Sequence, residues 1–326
     1  MDIIKNLGIS YRGDYINQGS YIEKCKKSSE INTNYTEFVI RNDGKGVFFD
    51  NLTSYYNGNI IFHLPTINTN QTNLKNIKDI VISLLQNNIN LITIDASCLS
   101  SDTFDWCTTE EQQNYLKNMA NGIASLCEFN IDVAIENTAK DKNELLFGKS
   151  ISNMSDLLVY TRNALVEKYN YTREQANNRV GISFNLRKLK KVSNFLELNT
   201  WFKVFYNDIK CIKVNNIEDS MSDISELLDL VISTNLNVPI LYETKSELEK
   251  VVNEYNKFEF IVNKKINHEE LNFDGYQEIK DSTYNEYNYN IASSQSGFTN
   301  AVVVIMIIIT LIIAVLMVLV KLRGWQ

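Results

Sequence analysis

Polar side chains end most of the apolar stretches that the sequence predicts as strands. Three of them are carboxylates, and one is among the only two histidines of the chain. A carboxylate at such a position is costly to bury unless it is paired with a cation, hydrogen-bonded or bound to a metal. Any one of these residues could simply cap the next helix, but together they predict a functional site. The set comprises Ser10, Asn42, His63, Asp95, Glu136, Asn185, Lys213 and Glu243.

Eight short apolar or β-branched runs alternate with segments that mostly have helical spacing, at 7–10, 37–41, 60–63, 91–95, 132–136, 180–184, 209–214 and 239–243. Strands of a parallel sheet covered on both faces have this near-continuous apolar character. An open doubly wound sheet would give the same alternation, but eight units over about 245 residues are the size of a (β/α)8 barrel. We therefore predict an α/β fold of TIM-barrel type, with functional residues at the carboxyl ends of its strands. A ninth apolar run, 258–262, is interpreted as an added edge strand.

The segment 301–320 (AVVVIMIIITLIIAVLMVLV) has no charged residue over twenty positions. A helix rises about 1.5 Å per residue, so this segment would cross the roughly 30 Å core of a bilayer. A buried core helix is the less favoured alternative, because such helices seldom run this long without a polar face. We predict a barrel at 1–263, a polar linker at 264–299, a single transmembrane helix at 300–320 and a short basic tail at 321–326.

The orientation in the membrane is predicted from the two ends of the chain. The first residues, MDIIKNLGISYRGDY, contain no apolar stretch of the kind found in a signal peptide. We therefore expect a single-pass, tail-anchored protein whose barrel faces the cytoplasm. Lys321 and Arg323 lie beyond the span, and the positive-inside rule taken alone would favour the opposite orientation.

Composition limits the classes of partner and of cysteine chemistry. The five cysteines are widely spaced without a C-x-x-C pair, which indicates scattered reduced thiols and neither a disulfide framework nor a zinc knuckle. Apart from the two basic residues of the tail, the chain has 30 basic and 39 acidic residues. An acidic domain has no general attraction for polyanions, so nucleic acid is not an expected partner.

The segment DVAIENTA at 132–139 resembles the fifth-strand motif of the endonuclease IV family (AP endonuclease family 2), within the xylose isomerase-like TIM barrels. IIFH at 60–63 is similar to that family's third strand, which ends in a metal-binding histidine. VPILYE at 238–243 is similar to its eighth strand, which ends in a metal-binding glutamate. The resemblance implies a TIM barrel and, in active members, three zinc ions held by histidine, aspartate and glutamate side chains.

This sequence departs from the family at most of the implied metal ligands. Only His63, Glu136 and Glu243 keep the expected residue type, with Asp95 as a substitute for a histidine. Amide and ammonium groups are poor zinc ligands, so a three-zinc site is not expected, and AP endonuclease activity is the least favoured function. The other implied ligand positions are occupied by Ser10, Asn185, Lys188 and Lys213.

Related isomerases and epimerases hold one divalent metal with residues from strands five to eight, which correspond here to Glu136, Asn185, Lys213 and Glu243. We hypothesise that the Lys213 ammonium replaces the metal and neutralises Glu136 and Glu243, since two close carboxylates without a cation would repel each other. In the alternative, Lys213 points to solvent. One zinc or manganese ion is then bound by the three retained residues and Asp95.

These observations predict a membrane-anchored, degenerate barrel with no cofactor, non-catalytic or repurposed to bind a small sugar-like ligand or a protein. The predicted ligand-binding residues are His63, Asp95, Asn185, Lys188 and Lys213. The alternative is an isomerase or epimerase acting on a sugar or sugar phosphate, with Glu136 and Glu243 as an acid/base pair. The basic run at 187–191 is interpreted as a solvated helical turn, and attraction of a phosphate or an anionic headgroup is its functional alternative.

Overall fold

Eight parallel strands form a closed barrel in which each strand pairs with its neighbours in chain order. The strands are β1 (Leu7–Tyr11), β2 (Tyr35–Val39), β3 (Asn59–Leu64), β4 (Leu91–Asp95), β5 (Asp132–Glu136), β6 (Val180–Asn185), β7 (Ile209–Val214) and β8 (Ile240–Thr244). Pairing between β1 and β8, with Ser10 opposite Glu243, closes the barrel. The predicted TIM barrel is therefore confirmed.

The computed structural model describes residues 3–13, 19–40, 51–65, 67, 71–87, 89–96, 108–138, 148, 150–190, 196–215 and 217–267. The chain divides into two units, Met1–Glu269 and Glu270–Gln326, and the second lies wholly outside these described residues. None of the described helices is long and apolar enough to cross a membrane. The predicted transmembrane helix at 300–320 and most of the predicted linker lie outside the described part and stay predictions.

Helices follow most strands along the described chain: α1 (Tyr21–Ile31), α2 (Gln71–Leu84), α3 (Thr109–Leu126), α4 (Ile151–Tyr169), α5 (Arg173–Arg179), α6 (Leu186–Lys190), α7 (Leu196–Phe205), α8 (Ile217–Ser233) and α9 (Leu248–Ile266). Local sequence signals fix several of their starts. In α3, Thr108 and Glu111 form a reciprocal capping box that satisfies two backbone N–H groups. The same motif begins α1 and α5.

Two details of the predicted elements are wrong. The run at 258–262 is not an edge strand but part of α9, whose buried residues recur at helical spacing. Strand β2 ends at Val39, so Asn42 does not end it and lies outside the described residues. The prediction began this strand at Glu37. In the structure Glu37 lies at the centre of β2, where it faces the barrel interior and is fully buried.

The inside of the barrel has two chemically distinct layers. Near the amino ends of the strands, Ile61, Cys211 and Leu241 form a buried apolar cluster against which Tyr35 and Leu91 pack. Because side chains alternate along a strand, the residue two positions further along lies in the next layer towards the carboxyl end. That layer is polar, with Glu37, Thr93 and Lys213 two positions beyond Tyr35, Leu91 and Cys211. The apolar layer therefore supports a polar one beneath the mouth of the barrel.

The register of β6 against β7 is set by a close backbone approach. A Cβ added to Gly181 would lie 2.1 Å from the carbonyl oxygen of Asp208, so only glycine fits there. The pairing shifts between Ile182 and Ser183, and beyond the shift Asn185 lies opposite Lys213. The irregularity thus brings two of the predicted site residues side by side.

Candidate ligand-binding site at the mouth of the barrel

The carboxyl ends of the strands bring together nearly all of the residues that the sequence singled out. His63 is on β3, Asp95 on β4 and Glu136 on β5, and all three are close enough that one ligand atom from each lies within 4.8 Å of the others. The remaining predicted residues, Asn185, Lys188, Lys213 and Glu243, contact this group or one another. Of the eight strand-end candidates, only Asn42 is outside the described residues.

Glu136 is the centre of the site, and its carboxylate is surrounded by cations. Arg12 Nη2 donates to both of its oxygens at 2.9 and 3.0 Å. Lys188 Nζ lies 2.6 Å from Oε1 and Lys213 Nζ lies 2.5 Å from Oε2. The side-chain amide of Asn185 also donates to Oε1, at 3.0 Å. A carboxylate offers about four lone-pair sites, so Glu136 has no acceptor capacity left for a ligand.

Lys213 is fully buried and points into the barrel, not towards solvent. Its ammonium lies 2.5 Å from Glu37 and 2.5 Å from Glu136, and it donates to Thr93 Oγ1 at 3.2 Å. These three acceptors match the three N–H donors of an ammonium group. The geometry excludes the alternative in which Lys213 is solvent-facing.

Arg12, which was not identified from the sequence, bridges Glu136 and Glu243. This is the role that was expected of Lys213. Besides the contacts with Glu136, Arg12 Nε lies 2.5 Å from Glu243 Oε1, although the N–H is not aligned as a hydrogen bond. Lys213 therefore neutralises Glu37 and Glu136, and the hypothesis that it pairs with Glu243 was wrong. Arg12 is two positions after Ser10, so the alternation of β1 could have identified it as inward-facing.

Glu37 and Thr93, also missed in the sequence, fix the orientation of the lysine and the histidine. Ser10 Oγ donates to Glu37 Oε2, and Thr93 Oγ1 donates to Glu37 Oε1 at 2.5 Å. Since Thr93 has one hydrogen, it accepts from His63 Nδ1, 2.9 Å away. His63 is thus held between Thr93 on its Nδ1 side and Asp95 on its Nε2 side, 3.4 Å from Oδ2 of Asp95.

The asparagine pair at the ends of β5 and β6 explains part of the ENTA motif. Asn137 Oδ1 accepts from the backbone N–H of Asn185 at 2.6 Å, and its amide donates to the Asn185 carbonyl at 3.1 Å. Asn185 in turn accepts from the backbone N–H of Lys188 at 3.3 Å. These contacts aim the Asn185 amide at Glu136 and place α6 so that Lys188 reaches the site.

The charges of the site hold Glu136 ionised and Lys188 and Lys213 protonated. Burial alone would raise the pKa of Glu136, but the charges of Arg12, Lys188 and Lys213 outweigh it and hold that pKa well below its usual range. Burial would likewise lower the pKa of Lys213, yet Glu136 and Glu37 raise it. The pKa of Lys188 is also raised, by Asp95 and Glu136 against the effect of burial.

His63, Asp95 and Glu136 form a group of the type and spacing that could hold a divalent metal ion. The observed contacts do not fit such an ion. Lys188 Nζ is 2.6 Å from Asp95 Oδ1, and each oxygen of Glu136 has an ammonium within 2.6 Å. A dication bound to these oxygens would lie next to two protonated amines in a buried site, where like charges repel strongly.

Comparison with solved structures identifies the fold. The chain is similar to the 3-keto-D-glucoside 4-epimerase YcjR from E. coli, with a TM-score of 0.55 and 11% identity over 80% of this chain and 99% of that one. It has the fold of the xylose isomerase-like TIM barrels. A xylose isomerase domain protein from Planctomyces limnophilus has a TM-score of 0.50 at 9% identity, covering 80% of this chain and 98% of that one.

An AP endonuclease of family 2 from Brucella melitensis has a TM-score of 0.51 and 9% identity, over 74% of this chain and 92% of that one. The structural similarity thus includes both the sugar epimerases and the endonuclease family that the sequence motifs resemble. No protein-family model and no curated protein sequence matches the chain. At such low identities the similarity establishes the fold alone.

Proposed function

We propose that the mouth of the barrel is a metal-independent, non-catalytic site that binds a small sugar-like ligand. The observation that carries the proposal is the environment of Glu136, whose carboxylate contacts Arg12, Lys188 and Lys213. In this proposal the three cations replace the divalent metal of related enzymes. Arg187 on α6 is a fourth cation, 3.8 Å from Glu243. The site needs no further cation, because its four acids and four bases are equal in number: Glu37, Asp95, Glu136 and Glu243 against Arg12, Arg187, Lys188 and Lys213.

The contacts of Glu136 also argue against acid/base catalysis by the pair Glu136 and Glu243. A general base must accept a proton near working pH and reach the substrate directly or through water. Glu136 is fully buried, saturated with donors and has a strongly lowered pKa. Catalysis as a sugar isomerase or epimerase is therefore our second candidate function. Its support is the similarity to sugar epimerases, which also favours a sugar-like ligand over a protein partner.

The membrane tether belongs to the same proposal. The apolar segment at 301–320 would hold the barrel at a membrane, facing the cytoplasm, as a single-pass protein. A binding site fixed at a membrane would present or sense its ligand there. Nucleic acid is not a proposed partner, because the chain outside the basic tail is acidic.

Replacing Lys213 by histidine is expected to create metal binding. The substitution removes a buried ammonium and places an imidazole beside Glu37 Oε1 and Glu136 Oε2, which with His63 gives a donor set suited to zinc. Lys188 contacts the other oxygen of Glu136 and Asp95, so these two groups are not counted as donors on that side. We expect the full-length variant, purified in a non-ionic detergent and equilibrated with zinc, to retain one ion per chain by elemental analysis.

The matched control is Lys210→His, on the same strand but paired with Asp132 outside the site. It should retain no more zinc than the unsubstituted chain. A Lys213→His variant with an unchanged circular dichroism spectrum and no gain of zinc over this control would show that Lys213 does not occupy the position of a metal.

A further inference from the structure

Three cations of the mouth lie nearer to solvent than Glu37, Glu136 and Glu243 do. The side chains of Arg12, Lys188 and Arg187 are 14%, 22% and 38% exposed. We call these three residues the cationic rim. Beneath them, Glu37 and Glu136 are fully buried and the side chain of Glu243 is 5% exposed. A ligand that approaches from solvent therefore meets N–H groups before it meets most of the carboxylates.

The rim has hydrogen-bonding capacity that its ion pairs do not use. A guanidinium has five N–H donors in a planar fork. In Arg12, Nε and Nη2 face Glu243 and Glu136, and no contact of Nη1 is seen among the described residues. The guanidinium of Arg187 has one observed contact in that part of the chain, between Nη1 and Glu243 Oε2 at 3.8 Å, too long for a direct hydrogen bond.

Carboxylate oxygens beside the rim could accept hydrogen bonds from hydroxyl groups. The side chain of Asp95 is 28% exposed, and its Oδ2 has only the contact with His63 at 3.4 Å within the described residues. Glu243 Oε2 faces Arg187 at 3.8 Å. The mouth thus combines unused cationic donors with one accessible anionic acceptor, Asp95.

We propose that the ligand carries a carboxylate or phosphate group on a hydroxylated skeleton. The oxyanion binds Arg12, Arg187 and Lys188, and a hydroxyl of the same molecule donates to Asp95. A guanidinium fork binds carboxylate and phosphate oxygens with two parallel hydrogen bonds, which gives the rim a preference for planar or tetrahedral oxyanions. This inference rests on the proposed binding function and specifies its ligand class.

The test compares three probes of similar size on the full-length chain in non-ionic detergent. Gluconate carries a carboxylate, glucose 6-phosphate a phosphate, and glucose no charge. We expect titration calorimetry to show binding of at least one anion, at least tenfold tighter than glucose. The anion that binds distinguishes a sugar acid from a sugar phosphate. Equal binding of glucose, or binding of neither anion, would overturn the inference.

Arg187→Gln should weaken the binding of the anion about tenfold, which is about 1.4 kcal/mol, because the guanidinium fork is lost. Arg173→Gln removes the same charge from the exposed start of α5 and is the matched control. An unchanged anion affinity in Arg187→Gln would also overturn the inference. Neither the comparison of the three probes nor the affinity of Arg187→Gln depends on metal content. The proposed oxyanion ligand can therefore be wrong even if the cations do take the place of a metal.

Discussion

Lys213→Met is expected to lower the free energy of unfolding by about 3–5 kcal/mol, as is typical when one partner of a buried ion pair is removed. The variant leaves Glu37 and Glu136 buried and without the ammonium that lies 2.5 Å from each. Thr93 also loses a donor. Urea denaturation of the full-length chain in detergent, followed by the fluorescence of the buried Trp201, would measure the change.

Two further variants separate charge imbalance from simple loss of packing. Lys210→Met removes a lysine on the same strand whose side chain is 18% exposed, and should cost about 1 kcal/mol or less. The double variant Lys213→Met with Glu37→Gln removes one acid and one base together, so it should be more stable than Lys213→Met alone. If Lys213→Met is as stable as Lys210→Met, the buried ammonium does not balance the acids.

Glu136→Gln should have an effect of similar size, again about 3–5 kcal/mol by removal of one buried charged partner. Arg12, Lys188 and Lys213 all contact this carboxylate, so the neutral amide would leave three neighbouring cations without their common counter-charge. The amide would also place its own N–H donors against them. The same urea titration would detect the loss.

Glu30→Gln is the matched control, because Glu30 is largely exposed and its ion pair with Lys27 lies within α1. A surface charge of this kind contributes about 1 kcal/mol at most. A Glu136→Gln variant no less stable than this control would mean that the three cations are balanced by other groups, and that Glu136 is not the centre of the site.

The fold could be predicted from the sequence because each unit of the barrel has its own signal. The runs at 91–95, 132–136 and 209–214 coincide with the observed β4, β5 and β7. Buried parallel strands have near-continuous apolar sequences, and the caps before α3 mark its start. The prediction of a ninth strand at 258–262 was wrong because a short apolar stretch fits a buried helix face as well as a strand.

Four residues of the site could be predicted because an ionisable residue ends an apolar strand. His63, Asp95, Glu136 and Glu243 were found in this way, and the structure brings them together with Lys188 and Lys213. The partners of the lysine could not be assigned, because sequence order does not show which side chains meet across a barrel. Glu37 looks like a surface residue until the register of β2 places it inside.

The position of Arg12 shows the same limit. In the sequence it follows a predicted strand end and reads as the start of a loop, whereas its guanidinium lies between Glu136 and Glu243. The lysine at the metal-ligand position 213 led to the hypothesis that its ammonium replaces the metal. Arg12 adds a third cation to the site, and its contacts with Glu136 and Glu243 are seen only in the structure.

Metal content of the unsubstituted full-length chain tests this replacement most directly. After equilibration with zinc or manganese and removal of free ion, elemental analysis should find far less than one ion per chain. The ammonium groups of Lys188 and Lys213 would then be what keeps the carboxylates from binding metal. One tightly bound ion per chain, retained at His63, Asp95 and Glu136, would contradict the account and favour a metal-dependent enzyme.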